Sequence, residues 1–153
     1  MASGYHRIVV GVDGSPHSRR AVALVARLAP PRGGRVTCVR VIEAVRLPSM
    51  PFVPARMRAQ LETQAAAMDR SRRAMARRQL EAAVGALAKA GWRARGVVRA
   101  GPPLPELLAA VRAERADLLV LGARGAGAVR HFLLGSVVDA ALRRSPVAVL
   151  VAR

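Results

Sequence analysis

The sequence predicts one α/β domain: a three-layer α/β/α sandwich around a five-stranded parallel sheet. Apolar, strand-like runs alternate regularly with helix-forming segments. The runs are apolar throughout rather than every second residue, as expected of strands covered on both faces. Alternation of this kind requires crossovers, which place helices on both sides of the sheet. The length, 153 residues, suits a single domain spanning 1–153.

The elements follow in order. RIVVGVD (7–13) reads as a buried first strand that breaks at GSP. Ser15-Pro16 starts a helix, since proline is tolerated in the first turn. Ala21, Leu24, Val25 and Leu28 mark its apolar face, and PPRGG (30–34) stops it. RVTCVRVIEAV (35–45) is the second strand. Arg40 interrupts its apolar run and is expected near the strand's C-terminal end, reaching solvent. LPSMPFVPAR (47–56), with three prolines, reads as an irregular exposed connection. About Met57 to Ala90 is a long helix of Ala, Leu, Gln, Glu and Arg, ended by Gly91. RARGVVRAG (93–101) is a third strand, and PLPELLAAVRAERA (103–116) a helix with Leu104, Leu108 and Val111 on one face. DLLVLGA (117–123) is a fourth strand, SVVDAALRRS (136–145) a fourth helix and PVAVLVAR (146–153) a fifth strand.

Charge points to the sheet edges. Arg93, Arg95 and Arg99 on the third strand discourage edge-to-edge pairing. The fifth strand carries Val147, Val149 and Val151 and no charge before Arg153. Bare at an edge it would be an aggregation hazard, so a second subunit is expected to cover it, giving a homodimer through the last strand.

Composition excludes several function classes. Hydrophobic residues make up 52% of the chain, enough for a sizeable core. No run is long enough to span a membrane, and the N-terminal apolar run is too short for a signal peptide. A cytoplasmic location and no membrane partner are therefore expected. The lone Cys38 sits in an apolar run and has no partner for an intramolecular disulfide. The formal charge of +17 rests almost wholly on arginine, Lys89 being the sole lysine. Those arginines are scattered, and one Trp, one Tyr and two Phe give little surface on which bases could stack. Nucleic acid is thus not the expected partner.

The informative segment is GARGAGAVRHFLLGS (122–136), with glycines at 122, 125, 127 and 135. A ligand in an open α/β sheet sits beyond the strands' carboxyl ends. Two such ends stand out here: Val12, Asp13, Gly14 and Ser15 after the first strand, and the glycine segment after the fourth. Gly122 and Gly125 permit a tight turn whose N–H groups face an anion. Gly135 and Ser136 open the fourth helix, where unpaired amides and the positive dipole end favour phosphate. Read without ligand, the same glycines make turns and Ser136 is an ordinary helix cap.

The spacing G-x2-G-x9-G-[ST], met by Gly122, Gly125, Gly135 and Ser136, resembles the ATP-binding signature of the universal stress protein (UspA) family. IVVGVDGSPHS, VRVIE, VRAG, DLLVLGARG and LLGSVVDAALRRSPVAVLV extend the resemblance over nearly the whole chain. The resemblance implies the strand order 3-2-1-4-5, homodimers through the last strand and membership of the ATP-binding branch. It places the nucleotide site on Val12 and Asp13, with Val41 against the adenine. Asp13 lies by the ribose or base, or beside a phosphate-bound Mg2+ or Mn2+. Gly122, Gly125, Gly135, Ser136 and Val137 hold the phosphates. Arg124 and Arg130 lie within the segment, as forks for phosphate oxygens or as solvated surface residues.

Binding does not require catalysis. No G-K-[ST] follows the glycines, and Lys89 lies far off in the second helix. Asp13 is the one acid expected in the crevice, while Asp139 is expected to face solvent. His6, His17 and His131 are far apart, His131 alone near the glycines and more often a surface residue in such a place. A regulatory, ATP-binding protein with slow or no hydrolysis is the leading expectation, not an enzyme. A nucleotide-independent interaction module and a weak ATP-hydrolysing enzyme on the same fold stand beside it.

Overall fold

The computed structural model describes residues 4–43, 47–49, 51–126 and 134–153. Nine elements alternate: β1 (Arg7–Gly11), α1 (Pro16–Ala26), β2 (Arg35–Ile42), α2 (Ala55–Lys89), β3 (Arg93–Ala100), α3 (Pro103–Ala113), β4 (Leu118–Gly122), α4 (Ser136–Arg144) and β5 (Ala148–Ala152). The strands form one all-parallel sheet in the order β3-β2-β1-β4-β5. β1 and β4 are therefore neighbours, with Val9 opposite Leu119.

Alternate strand residues feed two cores. Ile8, Val10, Val36, Cys38, Leu118 and Val120 face α1 and α2, meeting Val25, Leu80, Leu87 and Trp92. Val9, Val39, Leu119 and Leu121 face α3 and α4, meeting Leu107, Leu108, Val111 and Val138. Burial of both strand faces explains the continuous apolar runs. Trp92 anchors the first core twice, through its ring and through an Nε1–H that donates to the Val25 carbonyl at 3.1 Å.

Several boundaries differ from the sequence expectation, each for a local reason. β1 stops at Gly11: the Val12 N–H makes the last rung to β2, bonding Val39 O at 2.8 Å, and Asp13 then turns its carboxylate onto the next loop. The buried stripe of α1 is Ser18, Ala21, Val22 and Val25, with Leu28 past the helix end and exposed. α3 ends at Ala113, short of Ala116, because Arg115 adopts a left-handed φ of 48° and the Ala116 amide returns to Val111 O. α2 starts at Ala55, so the irregular connection is shorter than 47–56.

β3 and β5 are the sheet edges. Arg95 and Arg99 of β3 pair with Glu114 and Glu106, the latter at 2.6 Å. Val147, Val149 and Val151 lean on the α3/α4 core and are half-buried, while the outer edge of β5 has no strand partner among the described residues. α2 is 35 residues long, but its fully buried residues are Ala76, Leu80, Ala83 and Leu87, all in its second half. Among the described residues no helix is long and apolar enough to cross a membrane.

Candidate functional site

Because β1 and β4 are adjacent, the loops after them meet above the sheet. Four hydrogen bonds join or shape them. Asp13 Oδ1 accepts from the Ser15 amide at 2.9 Å, and Asp13 Oδ2 accepts from the Ala126 amide at 2.9 Å. The Ser15 hydroxyl donates to the Arg124 carbonyl at 3.2 Å while accepting from the Ser18 amide as the N-cap of α1. Burial pushes the Asp13 carboxyl up, but hydrogen bonds from Ser15, Ser18 and the Ala126 amide outweigh it and hold the group below its ordinary range. Asp13 is thus a fixed anion at physiological pH.

These loops roof a crevice of roughly 530 Å³ at the carboxyl ends of the strands, a volume in the usual range for small-molecule sites. It brings together most of the expected residues: Val12, Asp13, Val41, Gly122, Arg124, Gly125, Gly135, Ser136 and Val137. Gly14 and Ser15 stand outside it. Gly14 takes a φ of +80° against the Gln79 side chain, and Ser15 is buried in its capping role. Arg130 and His131 fall within 127–133, outside the described residues. His17, in α1, packs behind Gly122, and Asp139 pairs with Arg143 on the half-exposed face of α4.

The three motif glycines do different things, and none has a positive φ. A tight left-handed turn is therefore not what they supply. A Cβ on Gly122 would lie 2.5 Å from the His17 carbonyl carbon and 2.6 Å from the Ser18 amide. That glycine lets the first turn of α1 pack onto β4. A Cβ on Gly125 would stand 3.0 Å from Asp13 Oδ2. One on Gly135 would meet nothing closer than 3.6 Å, and would stand over the Gly125 amide at that distance. Of the three, Gly135 alone has room for a side chain without a close contact, so packing does not explain its missing Cβ.

The amides divide likewise. Ala126 N–H is held by Asp13, and Gly135 N–H bonds Ala123 O at 2.8 Å. The amides of Gly125, Ser136, Val137 and Val138 have no partner among the described residues. Gly135, not Ser136, is the N-cap of α4, and no side chain among the described residues caps that helix. The Ser136 hydroxyl has no hydrogen-bond partner among the described residues, and the first turn of α4 borders the crevice with its N–H groups and positive dipole end. Val41, Pro103, Leu107 and Leu121 make the opposite, apolar wall.

Arg40, Glu43, Arg72 and Met75 are among the lining residues not singled out for the site from the sequence. Arg40 stands near the strand's C-terminal end as expected and is part-exposed, but it lines the crevice rather than standing free in solvent. Its Nε is buried, with no hydrogen-bond partner among the described residues. Helical spacing alone could have put Arg72 and Met75 on one face of α2, but not over this crevice.

The arrangement suits a ligand with an apolar, planar part and an anionic tail. Free amides and a helix N-terminus receive the tail, and branched side chains receive the flat part.

Comparison with known proteins agrees with this architecture. The model of the universal stress protein family matches residues 4–153. A universal stress protein of Thermus aquaticus is 30% identical over 151 residues, covering 97% of this chain and 99% of that one. Rv2005c of Mycobacterium tuberculosis, another universal stress protein, is 31% identical over 156 residues, which span 95% of this chain but 45% of its own length. Among solved structures, the hypothetical protein MJ0577 superposes with a TM-score of 0.78 at 20% identity, covering 97% of this chain and 95% of that one. A universal stress protein solved in complex with cAMP has a TM-score of 0.66 at 25% identity, covering 99% and 98%. With its fold, its glycine spacing and these matches in accord, the chain belongs to the universal stress protein family.

Proposed function

We propose that this protein binds an adenine nucleotide, ATP in the first instance, in the crevice between the β1 and β4 loops, and that it acts as a regulatory stress protein with slow or no hydrolysis. One observation carries the reading: four amides, of Gly125, Ser136, Val137 and Val138, have no partner among the described residues and border a crevice whose far wall is apolar. Related structures solved with cAMP and with dAMP support an adenine nucleotide as the ligand class. In this reading the phosphates lie over α4 and the Ser136 hydroxyl, and the base packs on Val41. Arg124, at the rim, pairs with a phosphate oxygen.

Asp13 faces this space as an anion. Its two oxygens are oriented by the Ser15 and Ala126 amides, and a carboxylate so placed suits a phosphate-bound Mg2+ or Mn2+. Such an ion would offset the charge between Asp13 and the phosphates. The same two bonds argue for binding over turnover, since they hold Asp13 as a positioned, weakly basic group rather than a proton acceptor tuned near neutrality. The apolar, unpaired edge of β5 supports a homodimer through Val147, Val149 and Val151.

The test is nucleotide identification in protein purified without added ligand, followed by thermal unfolding with and without MgATP. Saturation at about 100 times Kd is worth ~2.7 kcal/mol, which raises the midpoint by about 5–10 °C in a domain of this size. A midpoint that does not move at millimolar MgATP defeats the proposal and favours a nucleotide-independent interaction module.

A further inference from the structure

Arg40 poses a question that the nucleotide reading leaves open. It follows Val36 and Cys38 on the face of β2 that packs under α1 and α2, opposite to the face on which Val41 lies. Leu80 of α2 packs on Gly96, which is in register with Cys38. One further helical turn, ~6 Å, matches two strand residues, ~6.6 Å. Arg40 therefore lies level with Ala76, whose small side chain leaves room above the strand, and Arg72 stands a turn beyond. Both arginines line the crevice, on its α2 side.

The Nε–H of the Arg40 guanidinium is buried and has no acceptor among the described residues. The crevice holds two carboxylates, and neither supplies one. Asp13 is engaged by the Ser15 and Ala126 amides. Glu43 is exposed and forms no ion pair among the described residues. A buried donor left without an acceptor is costly unless something brings one to it.

We propose that the α2 side of the crevice is a second anion subsite, in which Arg40, with Arg72 at its rim, holds a phosphate distinct from the one over α4. The inference rests on the nucleotide reading above and adds to it the class of ligand: a nucleotide with phosphates at two positions of its ribose, or a nucleotide accompanied by a free phosphate. A guanidinium fork matches phosphate oxygens at two points, and one arginine beneath the helix with a second at the rim encloses such a group on two sides.

The experiment titrates the full chain calorimetrically with AMP, with adenosine 3′,5′-bisphosphate, and with AMP in saturating inorganic phosphate. Arg40→Gln, Arg72→Gln and the α4-end control Gly135→Ala are run beside the parent. The second phosphate, attached or free, is expected to tighten AMP-site binding about tenfold or more. That ratio should fall to near one in Arg40→Gln, fall in part in Arg72→Gln, and survive in Gly135→Ala even as overall affinity drops. Tightening by the bisphosphate alone assigns the second phosphate to the nucleotide, and tightening by free phosphate assigns it to a separate ion. If AMP binds but neither addition tightens it, the second subsite is overturned and the nucleotide reading stands. If no adenine nucleotide binds the parent, both fall. A less stable Arg40→Gln with an unchanged ratio also overturns the subsite, assigning Arg40 to the other orphaned polar atom on this face, Gln79 Oε1. Arg72 is exposed, so Arg72→Gln keeps the test open if Arg40→Gln fails to fold.

Discussion

Gly122→Ala separates two explanations of the same motif residue. If Gly122 is there for a phosphate, alanine should weaken nucleotide binding and leave the unliganded protein unharmed. The structure predicts the reverse emphasis. The new methyl would sit 2.5 Å from the His17 carbonyl carbon, 2.6 Å from the Ser18 amide and 2.7 Å from the His17 carbonyl oxygen. All three obstacles are backbone of the first turn of α1, which no rotamer change can move. Relief requires α1 to lift off β4, loosening Ser18, Ala21, Val22 and Val25, all of them buried. Overpacking typically costs about 1–3 kcal/mol, and a backbone clash belongs at the upper end, ~3 kcal/mol. At about 2–4 °C per kcal/mol for a domain this size, the apo protein should melt roughly 6–12 °C lower. Thermal denaturation by circular dichroism without nucleotide reads this directly. An unchanged apo midpoint with lost ATP binding would refute the packing argument and return Gly122 to the ligand.

Gly135→Ala should do the opposite, because its methyl meets no atom closer than 3.6 Å but covers the free Gly125 amide. Its apo midpoint should stay within about 1–2 °C, while ATP affinity by calorimetry falls at least about tenfold, the worth of one charge-assisted hydrogen bond; unchanged affinity would exclude that amide from the site. Asp13 titrates lower in the folded than in the unfolded chain, so the unfolded state binds the extra proton. Its contribution is present above the ordinary carboxylate pKa and is lost as pH falls through the depressed folded value. Asp13→Asn should therefore flatten the acid limb of stability measured by urea denaturation between about pH 5 and pH 2; an identical limb in both proteins would contradict the assignment. Val149→Arg should convert the proposed dimer to monomer in sedimentation, and an unchanged mass would place the subunit contact elsewhere. Burial pushes the Cys38 thiol up to about 12, so it should resist thiol reagents at neutral pH until the chain is unfolded; rapid labelling of native protein would show that the β2 core opens.

Much of this architecture can be read from residue order, because the two cores demand apolar strands with helices between them. Hence β1 to β5 and α1 to α4 all occur where the sequence places them. Their ends were less legible. The Arg115 turn that stops α3 and the Val12–Val39 bond that closes β1 depend on backbone geometry and on partners distant in the chain. At the site, spacing found the residues but not their division of labour. Gly122 answers to His17, more than a hundred residues earlier, and Ser15 is consumed by capping α1. Arg40 was legible in part: a lone charge in an apolar run signals a strand end, but only the folded chain shows that this end opens on the crevice and buries the Nε.

The uneven anchoring of α2 has a mechanical consequence. Its second half is riveted to the sheet through Ala76, Leu80, Ala83 and Leu87, whereas the turns before Met75 owe their helicity mainly to their own composition. Unwinding them exposes little apolar surface, so amide hydrogen exchange should be quick from Ala55 to about Ala74 and slow from Ala76 onward. Arg72 and Met75 sit at that border. One wall of the crevice can thus yield to ligands of different girth while the sheet beneath it stays rigid.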